Sequence, residues 1–179
     1  MFSRILGILY KVVYKFKFGN NIRLDGIPCF TTHMHIYVRN GNIKIGKGFN
    51  IKQGVYLAAV DGGFISIGKE VSLNRNCILV SHKNITIGDN VAIGPNVVFY
   101  DHDHNFGKNG IEEGYKTGSI VIGKNCWIGA NVTILRETYI GEGSIIGAGC
   151  IVQGEIPSHS LVRTNRELNV TPICFDKLC

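Results

Sequence analysis

Hydrophobic side chains recur at every sixth position over the second half of the chain. Isoleucine or valine occupies these positions, at Ile122, Ile128, Ile134, Ile140, Ile146 and Val152. Small or apolar residues such as Cys126 and Val132 stand four places later. Neither an α-helix, with a period of 3.6, nor a flat strand, with a period of 2, predicts this spacing. It predicts a coil with three flat sides, one short strand per side, and the isoleucines along its axis.

The same pattern extends upstream, with interruptions. It forms three further coils, at Ile45, Ile51 and Leu57, at Ile67, Leu73 and Leu79, and at Ile87, Ile93 and Phe99. From the last axial residue of each of these coils to the first of the next, the spacing exceeds six and is ten, eight and twenty-three residues in turn. In a solenoid, an insertion forms a loop on one face, and this is often the binding face. We therefore expect a long extruded loop around residues 100–119, where the chemistry is to be sought first.

These fifteen positions resemble the hexapeptide repeats of the left-handed parallel β-helix acyltransferases, which include galactoside, maltose and polysaccharide O-acetyltransferases. The resemblance covers roughly residues 40–157. It implies an all-β fold, a left-handed parallel β-helix with three-sided coils of eighteen residues. We predict an N-terminal helix over residues 1–18, the β-helix domain over residues 19–157 and a C-terminal tail over residues 158–179.

Residues 2–17 have the spacing of an amphipathic helix. Its apolar face is predicted to hold Ile5, Ile8, Leu9, Val12 and Phe16, and its cations are Arg4, Lys11, Lys15 and Lys17. The segment is too short and too charged to span a bilayer, and it lacks the cleavage site of a signal peptide. Two interpretations remain. The helix caps the first coil, which we favour because terminal repeats need a cover, or it lies on an anionic membrane surface.

Charge and cysteine content narrow the class of protein. The 179 residues carry a net charge of +6, which favours anionic partners, but no nucleic-acid-binding motif is present and we expect no nucleic acid. The six cysteines form no CxxC pair, and Cys77, Cys126 and Cys150 fall at inward positions. We interpret them as core thiols in a reducing cytosol. The protein is expected in the cytoplasm, peripheral at the inner membrane surface if the helix binds lipid.

The long insertion begins with Asp101, His102, Asp103 and His104. Histidine is the side chain best suited to accept a proton near neutral pH. In the related sugar acetyltransferases, a histidine just past such a coil deprotonates the acceptor hydroxyl, and the flanking residues 89–97 align His102 with it. His104 is the second candidate, because this segment is two residues longer in galactoside acetyltransferase. We predict that His102 is catalytic and that His104 and Asp101 bind the acceptor.

Other residues match binding positions of the family. Asn74 matches the asparagine that helps to hold the acceptor sugar, since an amide both donates to and accepts from a hydroxyl. Trp127, outward in the repeat, matches a tryptophan near the thioester end of the cofactor. The backbone amides of Ala130 and Ala148 match those that bind the pantetheine arm. For Asn74 and the two alanines, a structural role as corner residues is the alternative.

The chain departs from the family near its C-terminal end. Relatives carry Thr-Lys where this chain has Gln153-Gly154, and a Gly-x-Pro-Ala turn where it has residues 164–167. These segments help to shape the adenine and phosphate end of the cofactor site. Arg166 is our candidate for the phosphate contact, with Arg163 as the alternative.

The resemblance implies acetyl-CoA as co-substrate, no metal, a homotrimer with sites between subunits, and direct acetyl transfer to a hydroxyl of a sugar or surface-polysaccharide precursor. Outward apolar residues such as Trp127, Ile145 and Ile151 fit a buried face of that assembly. One alternative is an N-acetyltransferase for an amino (nucleotide-)sugar. A second is a zinc carbonic anhydrase of this fold, with His82, His102 and His104 as candidates, although its pair of histidines five apart is missing. A third is a scaffold without catalysis.

Overall fold

The computed structural model describes residues 2–27, 29–30 and 34–165, in which one helix precedes a parallel β-helix. The helix, α1 (Phe2–Phe18), is followed by a 3-10 turn (Gly19–Asn21) and the first strand. Gly19 has a φ of +57°, the left-handed conformation that commonly ends a helix. The order of elements confirms the predicted fold class.

The strands lie on three faces, and each coil contributes one strand to each face. The first face holds β1 (Ile22–Leu24), β4 (Asn42–Ile45), β7 (Phe64–Ile67), β10 (Asn84–Ile87) and β15 (Ile120–Ile122). The second face holds β2 (Cys29–Phe30), β5 (Asn50–Ile51), β8 (Ser72–Leu73), β11 (Ala92–Ile93), β16 (Trp127–Ile128), β18 (Ile145–Ile146) and β20 (Leu161–Val162). The third face holds β3 (His35–Arg39), β6 (Tyr56–Val60), β9 (Ile78–Ser81) and β12 (Val98–Tyr100). The strands β17 (Thr133–Ile140) and β19 (Ile151–Ile156) each run from the third face round a corner onto the first.

The axis of the coil is filled by the fifteen side chains that the repeat predicts, and none is more than 3% exposed. Cys77, Cys126 and Cys150 are buried free thiols, and burial raises the pKa of Cys77 to about 11. These three cysteines are therefore core residues, as predicted. The side chain of Cys29 and the residues Cys174 and Cys179 lie outside the described part of the chain.

The helix α1 packs on the first coil through the face opposite to its predicted apolar face. Tyr14 is buried, stacks on Tyr10 and Phe18 at ring-centroid distances of 5.5 and 6.1 Å, and donates a hydrogen bond to the carbonyl of Met34 (3.2 Å). The side chains of the predicted apolar face are all exposed, namely Ile5, Ile8, Leu9, Val12 and Phe16. Aromatic side chains make the contact because one row of them, three to four residues apart, lies over β1 and β2.

The β-helix continues past Pro157, where the regular repeat was expected to end. Strand β20 pairs in parallel with β18, with Leu161 opposite Ile145. The short Leu161–Val162 segment gives no hexapeptide period by itself, because it contributes a single strand and no further coil follows within the described residues.

The long insertion forms an antiparallel hairpin of β13 (His102–Gly107) and β14 (Gly110–Thr117). At its base, the amide of Gly118 donates to the carbonyl of Asp101 (2.8 Å). Arg136, on β17, binds the carboxylate of Asp103 (2.6 Å) and so ties the hairpin to the coil. The hairpin places one histidine at its base against the coil and the other farther out.

Candidate active site

Asp101 is the buried centre of a hydrogen-bond cluster at the base of the hairpin. Its carboxylate accepts hydrogen bonds from the hydroxyl of Ser81 (2.7 Å) and from the amides of His82 (2.8 Å) and Lys83 (2.9 Å). Burial alone would raise the pKa of Asp101, but the bonds from His102, His82, Ser81 and Lys83 outweigh it and lower the pKa. The side chain is 0% exposed, so it does not offer an acceptor-binding surface in this chain, in contrast to the expectation from the sequence.

His102 lies directly in front of that carboxylate. Its Nδ1 is 3.2 Å from Oδ1 of Asp101, and its side chain is 13% exposed. A carboxylate accepts a hydrogen bond from an N–H group, so this contact favours the tautomer of His102 that carries its proton on Nδ1. Nε2 is then an unprotonated nitrogen on the opposite edge of the ring. The arrangement can remove a proton from a bound hydroxyl or amine.

Two side chains that the sequence did not assign to the reaction enclose His102. The ring of His82 lies 4.2 Å from it, between ring centroids, and the ring of Tyr115 lies 5.1 Å from it. Tyr115 also contacts the His82 ring at 4.4 Å. Strands β9 and β12 pair with an offset of twenty residues, so that Val80 lies opposite Tyr100. The same offset places His82 beside His102, and this is the sequence signal that could have identified His82.

His82 is an uncharged neighbour of His102 at neutral pH. Burial lowers its pKa, and the proximity of His102 lowers it further. Its Nδ1 is 3.8 Å from the carboxylate of Asp61, which Arg39 also binds at 3.0 Å. The lowered pKa makes the His82–Asp61 contact a weak one rather than an ion pair.

His104 lies farther out on the hairpin than His102. It is exposed, and its ring centroid is 5.0 Å from that of Tyr115. Residues two apart on a strand point to the same side, so both histidines contact the same tyrosine. His104 has no carboxylate partner among the described contacts, which distinguishes it from His102.

The remaining candidates lie on the second face of the coil and its following corner. Asn74 is exposed just after β8, and its Oδ1 accepts from the amide of Arg75 (2.8 Å). Trp127 points outward and is 56% exposed. Ala130 is half-buried and Ala148 exposed, at the equivalent corner of two successive coils. Arg166 lies outside the described residues.

The candidates therefore fall into two groups. His102 follows the third face, whereas Asn74, Ala130 and Ala148 follow the second face. Asn74 does not have the left-handed backbone that its alternative, purely structural role requires; Asn76, two residues later, has it, with a φ of +58°. Ile151 lies on the third face and Trp127 and Ile145 on the second, so the three apolar residues are divided between two faces of the coil.

Among residues 2–27, 29–30 and 34–165, no group of three or more His, Cys, Asp or Glu side chains is placed to hold a metal ion. Every buried side-chain nitrogen or oxygen in this part of the chain has a hydrogen-bond partner. The polar atoms at the base of the hairpin are thus engaged with one another.

Residues 119–154 match the family model for the bacterial transferase hexapeptide (six repeats). Over 156 residues, the chain is 32% identical to WbbJ of Escherichia coli (strain K12), named "Putative lipopolysaccharide biosynthesis O-acetyl transferase". This match covers 81% of this chain and 76% of WbbJ. The chain belongs to the hexapeptide-repeat acyltransferase family. The resemblance inferred from the fifteen repeat positions is confirmed, and the protein is an acyltransferase.

Other members of the family match over shorter stretches. The chain is 48% identical over 105 residues to a "Putative acetyltransferase" of Staphylococcus aureus (strain Mu50 / ATCC 700699). That match covers 58% of this chain, and the chain spans only about half, 53%, of this relative.

Solved structures share the fold. AntD, an N-acyltransferase from Bacillus cereus in complex with dTDP and coenzyme A, has a TM-score of 0.72 at 22% identity, over 84% of this chain and 82% of AntD. The acetyltransferase VCA0836 from Vibrio cholerae, in complex with acetyl coenzyme A, has a TM-score of 0.57 at 20% identity, over 89% of this chain and 74% of that chain.

Proposed function

We propose that the protein is an acetyl-CoA-dependent O-acetyltransferase that acts on a hydroxyl of a sugar or surface-polysaccharide precursor. The observation that carries the proposal is the half-buried His102, whose Nδ1 faces the buried carboxylate of Asp101 at 3.2 Å. The name of WbbJ supports O-acetylation, and the coenzyme A complexes of AntD and VCA0836 support the co-substrate.

In the proposed reaction, His102 acts as the general base. Its Nε2 takes the proton from the acceptor hydroxyl as that oxygen attacks the carbonyl carbon of the acetyl thioester, and Asp101 holds the ring and stabilises the imidazolium that forms. His102 then gives the proton to the coenzyme A sulfur as the C–S bond of the thioester breaks, and coenzyme A leaves as the free thiol. Asp101 is thus a positioning residue. Tyr115 and His82 exclude water from one side of the ring, and Asn74 and His104 contact the acceptor.

Acetyl-CoA supplies the activated acetyl thioester when it is bound. The second face and its corner fit an extended arm, because the side chains of Ala130 and Ala148 are small and their corner is open to a ligand. Trp127 covers the thioester end, and Arg166 contacts the phosphates. In a homotrimer these residues of one subunit would meet His102 of the next, which explains why one chain carries them at two different corners. We expect the protein in the cytoplasm.

The first experiment follows thiol release from acetyl-CoA with a panel of sugars and nucleotide-sugars. We expect acceptor-dependent release that falls by about a hundredfold or more in His102→Ala. Release that survives in His102→Ala but fails in His104→Ala would assign the base to His104. No release and no coenzyme A binding with any acceptor would overturn the proposal in favour of a scaffold.

The second candidate is N-acylation of an amino nucleotide-sugar, and the fold shared with AntD, an N-acyltransferase in complex with dTDP, favours it. His102 could serve either reaction, because it needs only an acceptor proton within reach. Pairs of acceptors that differ only in an amine or a hydroxyl at one carbon separate the two. Turnover confined to the amine would replace the first proposal by the second.

A further inference from the structure

The outward face of α1 carries an apolar stripe that no described residue covers. Its members, the outer stripe, are Ile5, Ile8, Leu9, Val12, Val13 and Phe16. Each is at least 47% exposed, and Phe16 is 94% exposed. The opposite face of the same helix holds the buried Tyr14 and is fixed to the first coil. A contiguous apolar stripe of this kind marks an interaction surface.

Cations border the outer stripe along one edge, and α1 contains no acidic residue. At 100° per residue, Lys11 and Lys15 follow that edge, whereas Lys17 lies on the opposite side of the helix from it, next to Tyr14. The ammonium of Lys11 donates to the carbonyl of Gly26 (2.9 Å), and that of Lys15 donates to Oδ1 of Asn20 (3.0 Å). Both acceptors are uncharged, and Lys11 also interacts electrostatically with the carboxylate of Asp25.

A groove of about 820 Å³ adjoins the outer stripe, between α1 and β1. Its apolar lining comes from Ile8, Val12, Phe16, Ile22 and Leu24. Its cations are Lys11, Lys15 and Arg23, and Arg23 forms an ion pair with Asp25 at 3.0 Å. An apolar cleft with a cationic rim matches the chemistry of an acyl chain below an anionic headgroup.

We propose that α1 holds the enzyme on an anionic phospholipid surface. The helix lies parallel to the bilayer, with the outer stripe among the acyl chains and Lys11 and Lys15 at the headgroup phosphates. No helix within the described residues is long and apolar enough to cross a membrane, so the contact is with the surface. Capping of the coil and membrane contact are thus made by two opposite faces of one helix.

A second copy of the chain is the competing occupant, and charge argues against it. Lysine is depleted from the centre of protein–protein interfaces, and two copies of a helix with cations and no acids repel each other. An anionic bilayer neutralises those cations instead.

The test is sedimentation of the full chain with vesicles of phosphatidylcholine alone or with 30 mol% phosphatidylglycerol, a composition of roughly cytoplasmic-leaflet charge. We expect binding to the anionic vesicles that is lost in 0.5 M NaCl. Phe16→Gln should lower the partition coefficient about tenfold, and Lys11→Gln with Lys15→Gln should lower it for anionic vesicles only. Phe106→Gln at the hairpin tip, also highly exposed, is the matched control and should bind as the wild type does.

Three results would overturn the membrane proposal. They are no binding to either vesicle, binding that ignores lipid charge and salt, and equal loss in Phe106→Gln and Phe16→Gln. If vesicle binding is absent and Phe16→Gln changes the oligomeric state in sedimentation equilibrium, the outer stripe is an interface between copies. Thiol release with soluble acceptors tests the proposed function separately, because it needs no lipid.

Discussion

At the scale of single residues, the carboxylate of Asp101 decides how His102 can act. In Asp101→Asn, an amide nitrogen facing Nδ1 favours the wrong tautomer, and an acceptor for the buried amides or for Ser81 is lost. We expect kcat to fall by at least about a hundredfold, since the same change in the triad of a serine protease lowers kcat by about ten-thousandfold through the wrong tautomer. Stability should fall by about 1–3 kcal/mol. Thiol-release kinetics and urea unfolding measure the two effects.

Ser81→Ala is the matched control for that variant. It removes one donor to Asp101 (2.7 Å) and leaves the carboxylate facing His102. We expect a loss of stability of about 1 kcal/mol with kcat within a few-fold of the wild type. A loss of kcat in Ser81→Ala as large as that in Asp101→Asn would mean that general packing at the hairpin base, and not the tautomer, governs activity.

His82 gives the stability of the protein a pH dependence. Its pKa in the folded protein is lowered from 6.5 by burial and by His102. As the pH falls below about 6.5, the unfolded chain takes up this proton before the folded protein does, so stability is lost on acidification. We expect the free energy of unfolding to decline between pH 7.5 and pH 5.5, and to decline less in His82→Gln. Urea titrations at a series of pH values measure it, and identical curves would contradict the assignment.

His102 could be proposed as the general base from the sequence, because the long insertion after Phe99 indicates a functional loop. His102 is one of two histidines at the start of that insertion. The role of Asp101 could not be predicted, since an aspartate next to a histidine gives no sign of being buried. His82 comes from the preceding coil, twenty residues earlier, and only the register of β9 with β12 brings its ring to 4.2 Å.

At the scale of elements, the spacing between coils makes glycine necessary at certain corners. A Cβ added at Gly129 would lie 2.7 Å from the amide nitrogen of Ala148, whereas one added at Gly147 would lie 3.1 Å from the carbonyl oxygen of Val162. We expect Gly129→Ala to destabilise the fold by about 1–3 kcal/mol, because the backbone of the next coil must shift. Gly147→Ala, at the same corner one coil later, should lower the free energy of unfolding clearly less than Gly129→Ala does. Urea unfolding compares them, and equal losses would contradict this explanation.

The two elements outside the repeat show what periodicity cannot supply. The strands of the hairpin are largely exposed, so burial does not impose an alternation of apolar and polar residues on them. From the sequence, only the presence of an extruded loop could be predicted. In α1, the aliphatic stripe and the aromatic row both have helical spacing. The sequence does not state which of them meets the coil, and the structure shows that the aromatic row does.

At the scale of the whole molecule, the sequence predicts the coil because each axial position repeats the same environment. All fifteen predicted positions are buried, because every coil stacks on the next one. A wrong assignment at one position would therefore leave the assignments in the other coils unchanged. The active site does not follow from that regularity. Its candidate residues lie at two corners of the three-sided coil, and within one chain His102 is separate from Ala130 and Ala148.

A site shared between subunits makes a specific prediction for mixed assemblies. His102→Ala removes the base, and Ala148→Glu places an acidic side chain where the anionic cofactor is expected. We expect each variant alone to be inactive. When they are co-assembled, an interface is intact wherever the Ala148→Glu subunit supplies His102 and the His102→Ala subunit supplies Ala148. For random mixing at equal amounts this holds at about one interface in four, so about a quarter of wild-type thiol release should return. If His102 and Ala148 of one chain served the same site, every subunit would carry a lesion and no activity would return. Mixing the two purified proteins without subunit exchange is the control and should stay inactive.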